Sequence, residues 1–220
     1  MAGPAPTAGD PAPLLIACAM GIERFALRGG RGGRGAAPVV LRTGIGPQAA
    51  ERAVRRVLTD GTAAADAAVV ATGFCAGLSP GMHPGDLVVA EETRDEHGRT
   101  RCAGGGVLVD ALTELLGGDR RRVVHTGPLI GSGHVVRGAE RAALRATGAI
   151  AVDMESAATL RTATHIGPRP VAAVRVVVDA PEHELVRIGT LRGGISAFRV
   201  LRMVLPAFSD WHRSLSLPRR

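Results

Sequence analysis

Short runs of apolar, largely β-branched residues alternate along this chain with segments whose apolar residues follow a helical period. Strands are predicted at residues 14–20, 39–42, 68–72, 87–92, 123–129, 150–153 and 171–178. Several of these runs are apolar at every position, which indicates burial on both faces of a sheet. The alternation therefore predicts an α/β fold, a three-layer sandwich in which helices flank a twisted, mixed central sheet.

The segments between the runs favour helices. Residues 47–58 place Ala50, Val54 and Leu58 on one stripe with charged residues opposite, and Pro47 suits the first turn. Further helices are predicted at 107–116, 139–146, 156–165 and 195–208. Since ligands of such sheets bind beyond the carboxyl ends of the strands, the loops that follow strands are the first places to look for a site.

The chain divides into a central domain and two tails. Residues 1–13 are rich in Pro, Ala and Gly and predict a disordered tail, residues 14–209 form one domain, and residues 210–220 form a basic tail. Three cysteines without CxxC spacing argue against a disulfide framework. The first apolar run is short and lacks a preceding basic residue, so neither a signal peptide nor a membrane span is expected. A cytoplasmic protein is predicted.

Two carboxylates stand at strand ends. Asp179 ends the run VAAVRVVVDA, and Glu155 follows AIAVDM at the start of a predicted helix. A carboxyl at the mouth of a buried strand can have its pKa raised enough to donate a proton, and one at the start of a helix can hold the hydroxyl groups of a ligand. Taken alone, however, Asp179 could be a turn former and Glu155 a charge favoured by the helix dipole.

Four stretches, in order, resemble the superfamily of purine nucleoside phosphorylases and methylthioadenosine/S-adenosylhomocysteine nucleosidases. They are IACAMGIER (16–24), TGFCAGLSPGMHPGDLVVAEE (72–92), AIAVDMESAA (149–158) and AAVRVVVDA (172–180). RTGIGPQAAERA (42–53) and GSGHVV (131–136) match less specifically. The resemblance spans residues 14–205 and implies cleavage of a purine N-glycosidic bond without a cofactor, in a homo-oligomer.

The resemblance implies roles for matching residues. Met154 and Glu155 would contact the ribose, Asp179 would protonate N7 of the purine, and Glu23 would position a water molecule. Gly73 and its neighbours would form a tight backbone turn beneath the sugar or the nucleophile.

The resemblance also implies a base site and leaves the nucleophile open. Val135 and Val136 would lie along the base. Phe74 and Cys75 follow Gly73 where the family commonly has a small hydroxyl residue that helps to hold phosphate. Glu23 favours water, whereas Arg42 near the GIG turn favours an anion, so phosphate remains a possible co-substrate.

Within the superfamily, MGIERFALR together with TGFCAGLSPGMHPGD resembles the hopanoid-associated phosphorylases, which release adenine from adenosylhopane and leave a ribosylated hopane. A basic, apolar C-terminal segment could then lie on a membrane surface; the alternative is that it is the last helix of the domain. Its apolar residues are Ile195, Phe198, Leu201, Val204, Leu205, Phe208 and Trp211.

Other functions remain as alternatives. A methylthioadenosine/S-adenosylhomocysteine nucleosidase and a futalosine hydrolase share the same catalytic outline. The tract RGGRGGRG (28–35) resembles RNA-binding segments, but aromatic residues make up only 2% of the chain and offer few stacking platforms. No nucleic acid is therefore expected as a partner. The histidines show no metal-ligand spacing.

Overall fold

The computed structural model describes residues 12–28, 37–61, 64–117, 122–180 and 190–215, with only the backbone at 190–196. The tail predicted at 1–13 lies outside the described residues except for its last two, and so does nearly all of the RGG tract. Within the described residues, eight strands form one sheet. They are β1 (Leu14–Cys18), β2 (Val39–Arg42), β3 (Ala68–Gly77), β4 (Leu87–Asp95), β5 (Gly98–Arg101), β6 (Val124–Gly131), β7 (Ala151–Asp153) and β8 (Val171–Asp179).

The sheet is mixed, and part of it closes on itself. Its order is β2-β1-β3-β7-β6-β4-β5, and β8 pairs with both β3 and β4. β8 runs parallel to β3 and antiparallel to β4. β3 pairs with β7, β7 with β6 and β6 with β4, so together with β8 these five strands form a closed ring. Most residues of β8 are buried.

Helices cover both faces of the sheet, which confirms the predicted α/β sandwich. Their bounds are α1 (Gly21–Arg28), α2 (Pro47–Thr59), α3 (Gly105–Leu116), α4 (Ala139–Ala146), α5 (Ser156–Ile166), α6 (Thr190–Met203) and α7 (Leu205–Leu215). Residues of α1, α3, α6 and α7 pack in one apolar cluster, and those of α2 and α5 pack in a second cluster. Successive side chains along a strand point alternately into the first and the second of these clusters.

Two helical segments differ from the sequence prediction. α1 was not predicted, because its apolar residues do not form one stripe: Ala26 and Leu27 are buried, whereas Ile22 and Phe25 face outward. The helix predicted at 195–208 is two helices, α6 and α7. Pro206 lies in the first turn of α7, where its missing N–H is tolerated, but it could not continue α6 without losing a hydrogen bond.

The domain boundary predicted after residue 209 falls inside a packed helix. α7 continues to Leu215, and Trp211 is fully buried, with its indole N–H donating to the carbonyl oxygen of Ala103 at 2.7 Å. At least the first six residues of the predicted basic tail therefore belong to the domain, and residues 216–220 lie outside the described residues.

The C-terminal apolar side chains turn inward. Leu201, Val204, Leu205, Phe208 and Trp211 are all buried in the cluster that α1 and α3 share. These side chains had suggested a membrane-facing surface, and core packing accounts for them instead. None of the helices in the described part of the chain is both long enough and apolar enough to span a membrane.

Candidate active site

A cavity of about 240 Å³ lies beyond the carboxyl ends of β1, β3, β7 and β8. Eight of the nine residues singled out from the sequence line it. They are Glu23, Phe74, Cys75, Val135, Val136, Met154, Glu155 and Asp179. The structure thus brings together residues that are as far as 156 positions apart in the chain. Of these, the strand-end argument had singled out Glu155 and Asp179, and the family resemblance had added the others.

Glu23 lies on α1 and faces the cavity, although it is 99% buried. Its two carboxylate oxygens accept hydrogen bonds from the backbone N–H groups of Met20, at 2.7 Å, and Phe74, at 3.1 Å. Burial raises the pKa of Glu23, while the charge of Arg175 and these N–H donors oppose the rise. Glu23 is therefore a fixed carboxylate with an increased affinity for a proton, as a general base requires.

Gly73 does not line the cavity but sits behind Glu23. The tight turn predicted here is absent, because β3 continues as a strand to Gly77, with Gly73 opposite Arg175 of β8. Gly73 has φ +135°, and a Cβ atom on it would lie 2.4 Å from Oε1 of Glu23 and 2.6 Å from Nη1 of Arg175. Only glycine lets these two charged side chains approach the strand so closely.

Glu155 lies between β7 and α5 and is also buried. Its Oε1 accepts a hydrogen bond from the backbone N–H of Gly46 at 2.8 Å, across 109 positions of sequence. Burial raises the pKa of Glu155; Arg175 opposes this effect and Asp153 adds to it. Met154 lines the cavity beside it. The carboxylate is thus anchored through one oxygen, which leaves the other oxygen for a ligand.

Arg175 is a buried cation that the sequence analysis overlooked. It projects from β8 and pairs through Nε with Oδ2 of Asp153 at 2.6 Å, donates to Ser156 Oγ at 2.8 Å, and donates from Nη1 to the carbonyl of Thr72 at 2.9 Å. Burial works against its charge, but the surrounding carboxylates raise its pKa. Arg175 therefore balances the negative charge of Glu23 and Glu155. In the sequence, Arg175 could have been noticed as a single charged residue within the otherwise apolar run that forms β8.

Asp179, at the end of β8, pairs with Arg141 of α4. The guanidinium donates to both carboxylate oxygens, with 3.4 Å between Nη1 and Oδ1 and a closer contact between Nη2 and Oδ2. Both side chains line the cavity. No sequence pattern had connected Arg141 to the site.

The remaining predicted residues form apolar walls. Burial raises the pKa of the Cys75 thiol above its ordinary value, so Cys75 packs as an apolar side chain and not as a nucleophile. Val136 is buried, whereas Val135 and Ile45 line the cavity and are still 63% and 65% exposed. The opening of the cavity is therefore bordered by exposed apolar side chains.

Metal chemistry has no visible basis in the described part of the chain, where no three His, Cys, Asp or Glu side chains are grouped so that they could hold an ion. Apart from the thiol of Cys75, the ionisable side chains that line the cavity are instead four carboxylates, the guanidinium of Arg141 and the imidazole of His134.

A family model described as "Phosphorylase superfamily" matches residues 12–192. A search of curated protein sequences gave no match. Among solved structures, the chain is similar to the 5′-methylthioadenosine/S-adenosylhomocysteine nucleosidase of Neisseria meningitidis in complex with methylthio-immucillin-A. The TM-score is 0.67 and the identity 22%, over 94% of this chain and 100% of that chain.

Two further structures have the same fold. The nucleosidase of S. pneumoniae with a transition-state inhibitor gives a TM-score of 0.69 at 19% identity, over 90% of this chain and 98% of that chain. A futalosine hydrolase mutant of Helicobacter pylori gives a TM-score of 0.69 at 15% identity, with the same coverage. The superposition of these chains supports the arrangement of strands and helices described above.

Proposed function

We propose, from the premise that this chain belongs to the phosphorylase superfamily, that it cleaves the N-glycosidic bond of a purine nucleoside. The observation that carries the proposal is that one cavity is lined both by the carboxylates Glu23, Asp153 and Glu155 and by Asp179, which is paired with Arg141. We call Glu23, Asp153, Glu155 and Arg175 the ribose end, and Asp179, Arg141, Val135 and Val136 the base end.

The charges of the ribose end suit the transition state of this reaction. When the bond from C1′ to N9 of the purine breaks, positive charge develops on the ribose. Three carboxylates against one guanidinium give this end an excess of negative groups. Glu155, anchored by Gly46, binds the ribose hydroxyls, and the negative field stabilises the ribosyl cation.

Water is the nucleophile that the cavity favours. Glu23 is held by two backbone N–H donors and has a raised pKa, so it can orient a water molecule and accept its proton. A phosphate ion would meet the same carboxylate at close range and be repelled. Arg42, which had argued for an anion, is exposed and does not line the cavity. We therefore favour hydrolysis over phosphorolysis.

Asp179 is the proposed acid at the base end. It delivers a proton to N7 of the purine, and the electron pair of the broken bond stays with the base. Val135 and Val136 supply an apolar surface along the ring. The nucleophilic oxygen binds C1′, so the products are a free base and a ribosyl compound.

Adenosylhopane is the proposed substrate, with adenine and a ribosylated hopane as products of a step in hopanoid biosynthesis. The exposed side chains at the cavity opening, Ile45 and Val135, support it because a polycyclic hydrocarbon at the 5′ position needs an apolar surface. Ile22 and Phe25, which flank Glu23 on α1, are also exposed, at 56% and 71%.

These exposed side chains also support the proposed location and assembly of the enzyme. A cytoplasmic homo-oligomer in peripheral contact with a membrane would bury Ile22 and Phe25 and receive an apolar substrate directly from the lipid. This proposal no longer depends on α6 and α7, whose apolar side chains are used in the core.

The decisive experiment measures release of free base from adenosylhopane, methylthioadenosine, futalosine and inosine, each with and without phosphate. We expect adenine from adenosylhopane at a rate that phosphate does not change. A rate that requires phosphate would overturn hydrolysis, and turnover of another compound alone would overturn the hopanoid substrate. No turnover of any compound would refute the enzymatic proposal.

A further inference from the structure

We infer that Arg141 contacts the departing base and carries part of the negative charge that develops there, in addition to its ion pair with Asp179. The inference rests on the proposed function and deepens it. It adds to the base end a residue to which the sequence analysis assigned no role.

The first observation is the position of Arg141. Its side chain reaches from the first turn of α4 into the cavity and is only 7% exposed. A guanidinium is costly to bury, and it is retained inside proteins where carboxylates or ligands compensate for its lost hydration. Asp179 provides one such compensating group, through both of its oxygens.

The second observation is that this compensation is incomplete. Nε of Arg141 is buried and has no hydrogen-bond partner in the described part of the chain. Buried polar groups are nearly always hydrogen-bonded, so the ion pair with Asp179 leaves the guanidinium of this cavity-lining residue short of acceptors, and a ligand in the cavity can supply one. Purine rings have such acceptors, the ring nitrogens, along their edges.

The third observation is the distribution of charge along the cavity. At the ribose end, three carboxylates surround one guanidinium, whereas at the base end one carboxylate faces one guanidinium. Before it gives up its proton, the acid Asp179 is neutral, so the base end carries the positive charge of Arg141 and the field across the cavity runs from negative to positive. This direction matches a reaction that leaves positive charge on the ribose and negative charge on the base.

In the reaction itself, the bond from C1′ to N9 breaks and its electron pair moves onto the purine, while the water oxygen binds C1′ and its proton passes to Glu23. N7 takes a proton from Asp179, which becomes a carboxylate. During this transfer the negative charge is shared between the purine ring and Asp179. Arg141 donates hydrogen bonds to both and keeps its own protons throughout.

A purely structural role is the competing explanation, in which the ion pair only ties α4 to β8. The two explanations predict different rates for substrates whose leaving purine does and does not develop negative charge. A purine methylated at N7 leaves as a neutral molecule without a proton, so it gains nothing from Arg141. A variant that only displaces α4 and Asp179 would lower the unmethylated rate in the otherwise unaltered protein but would have no such effect in an Asp179→Asn background, where a direct contact between Arg141 and the base would still lower it.

The test uses Arg141→Met, which keeps the length of the side chain but removes its charge. Base release is measured for adenosylhopane, methylthioadenosine and inosine and for the N7-methylated form of each, both in the otherwise unaltered protein and in an Asp179→Asn background. We expect the ratio of the unmethylated to the methylated rate to fall about 10²-fold, the typical effect of removing one donor to a developing anion. Arg141→Lys should restore part of this ratio.

The control is Arg145→Met, which removes an exposed arginine one turn further along α4 and should leave the ratio unchanged. Arg141→Gln repeats the test if the Met variant does not fold. An equal fall in both rates, no fall, or a fall in the ratio that disappears in the Asp179→Asn background would overturn the role of Arg141 while the proposed function stands. If the unaltered protein releases no base from any compound, the proposed function fails and the inference fails with it.

Discussion

The two ends of the cavity are built in different ways. At the ribose end, Glu23, Glu155 and Arg175 are buried and bonded to backbone groups of other segments, so each has little freedom to move. At the base end, Asp179 is held by one side chain, Arg141, and Val135 is largely exposed. Preorganised charge is thus concentrated where the ribose cation would form, and the base end is free to rearrange around a purine.

The largest effect on catalysis is expected from the base end. Asp179→Asn removes the proposed acid but keeps a side chain of the same shape, so base release should fall about 10²- to 10⁴-fold. Release is measured on the best substrate at saturating concentration, and thermal unfolding should change little. Full activity in a folded variant would show that the acid lies elsewhere.

The largest effect on stability is expected from the ribose end. Arg175→Met leaves buried carboxylates without their cation and should lower the free energy of unfolding by about 3–5 kcal/mol. Urea unfolding measures the loss, with Arg55→Met, which breaks an exposed pair with Glu51, as the control. If Arg141→Met proved as destabilising as Arg175→Met, the contrast between the two ends would not hold.

A smaller and more specific effect is expected at Gly73. In Gly73→Ala the new Cβ would lie 2.4 Å from Oε1 of Glu23, so the carboxylate must move. A shift of this size should lower base release about 10²-fold. Gly106→Ala on α3, where a Cβ has open space, should leave the rate unchanged. An unchanged rate in Gly73→Ala would mean that the position of Glu23 is not critical.

The smallest effect is the dependence of stability on pH. Burial raises the pKa of Glu23 above its unfolded value of 4.5, so the folded protein binds this proton more tightly than the unfolded chain. The stability gained in this way is fully present below pH 4.5 and is lost as the pH rises through the folded value.

The substitution Glu23→Gln removes the titrating group, so the variant does not lose this stability as the pH rises. Its stability relative to the unaltered protein should therefore increase with pH, by about 1.4 kcal/mol for each unit by which the pKa is raised. Urea unfolding between pH 4 and pH 8 measures the difference. A difference that stays constant over this range would show that Glu23 is not desolvated in the folded protein.

Much of the framework could be predicted from the sequence, because buried strands have a strong local pattern. The runs that became β7 and β8 also drew attention to Glu155 and Asp179 at their ends, whereas Glu23 was identified only through the family resemblance. β5 was missed because its residues are polar and exposed, as in a loop. The break between α6 and α7 had a visible signal in Pro206.

The cations of the site were harder to predict. Arg175 had a local signal, since a charge within a buried strand requires a partner. Arg141 had none: it lies on a short helix beside other arginines, and only the packing of α4 near the end of β8 distinguishes it from Arg137 and Arg145. Contacts between distant segments depend on tertiary packing, which local sequence patterns do not encode.

The ring of strands has a consequence for how the enzyme matures. Glu155 is bonded to a loop 109 positions earlier, and Arg175 to a strand 103 positions earlier, so no contiguous fragment shorter than these spans contains the ribose end. Contacts of such long range form late and slowly in folding. During synthesis on the ribosome, the chain therefore cannot assemble its charged centre until β8 has emerged and inserted between β3 and β4.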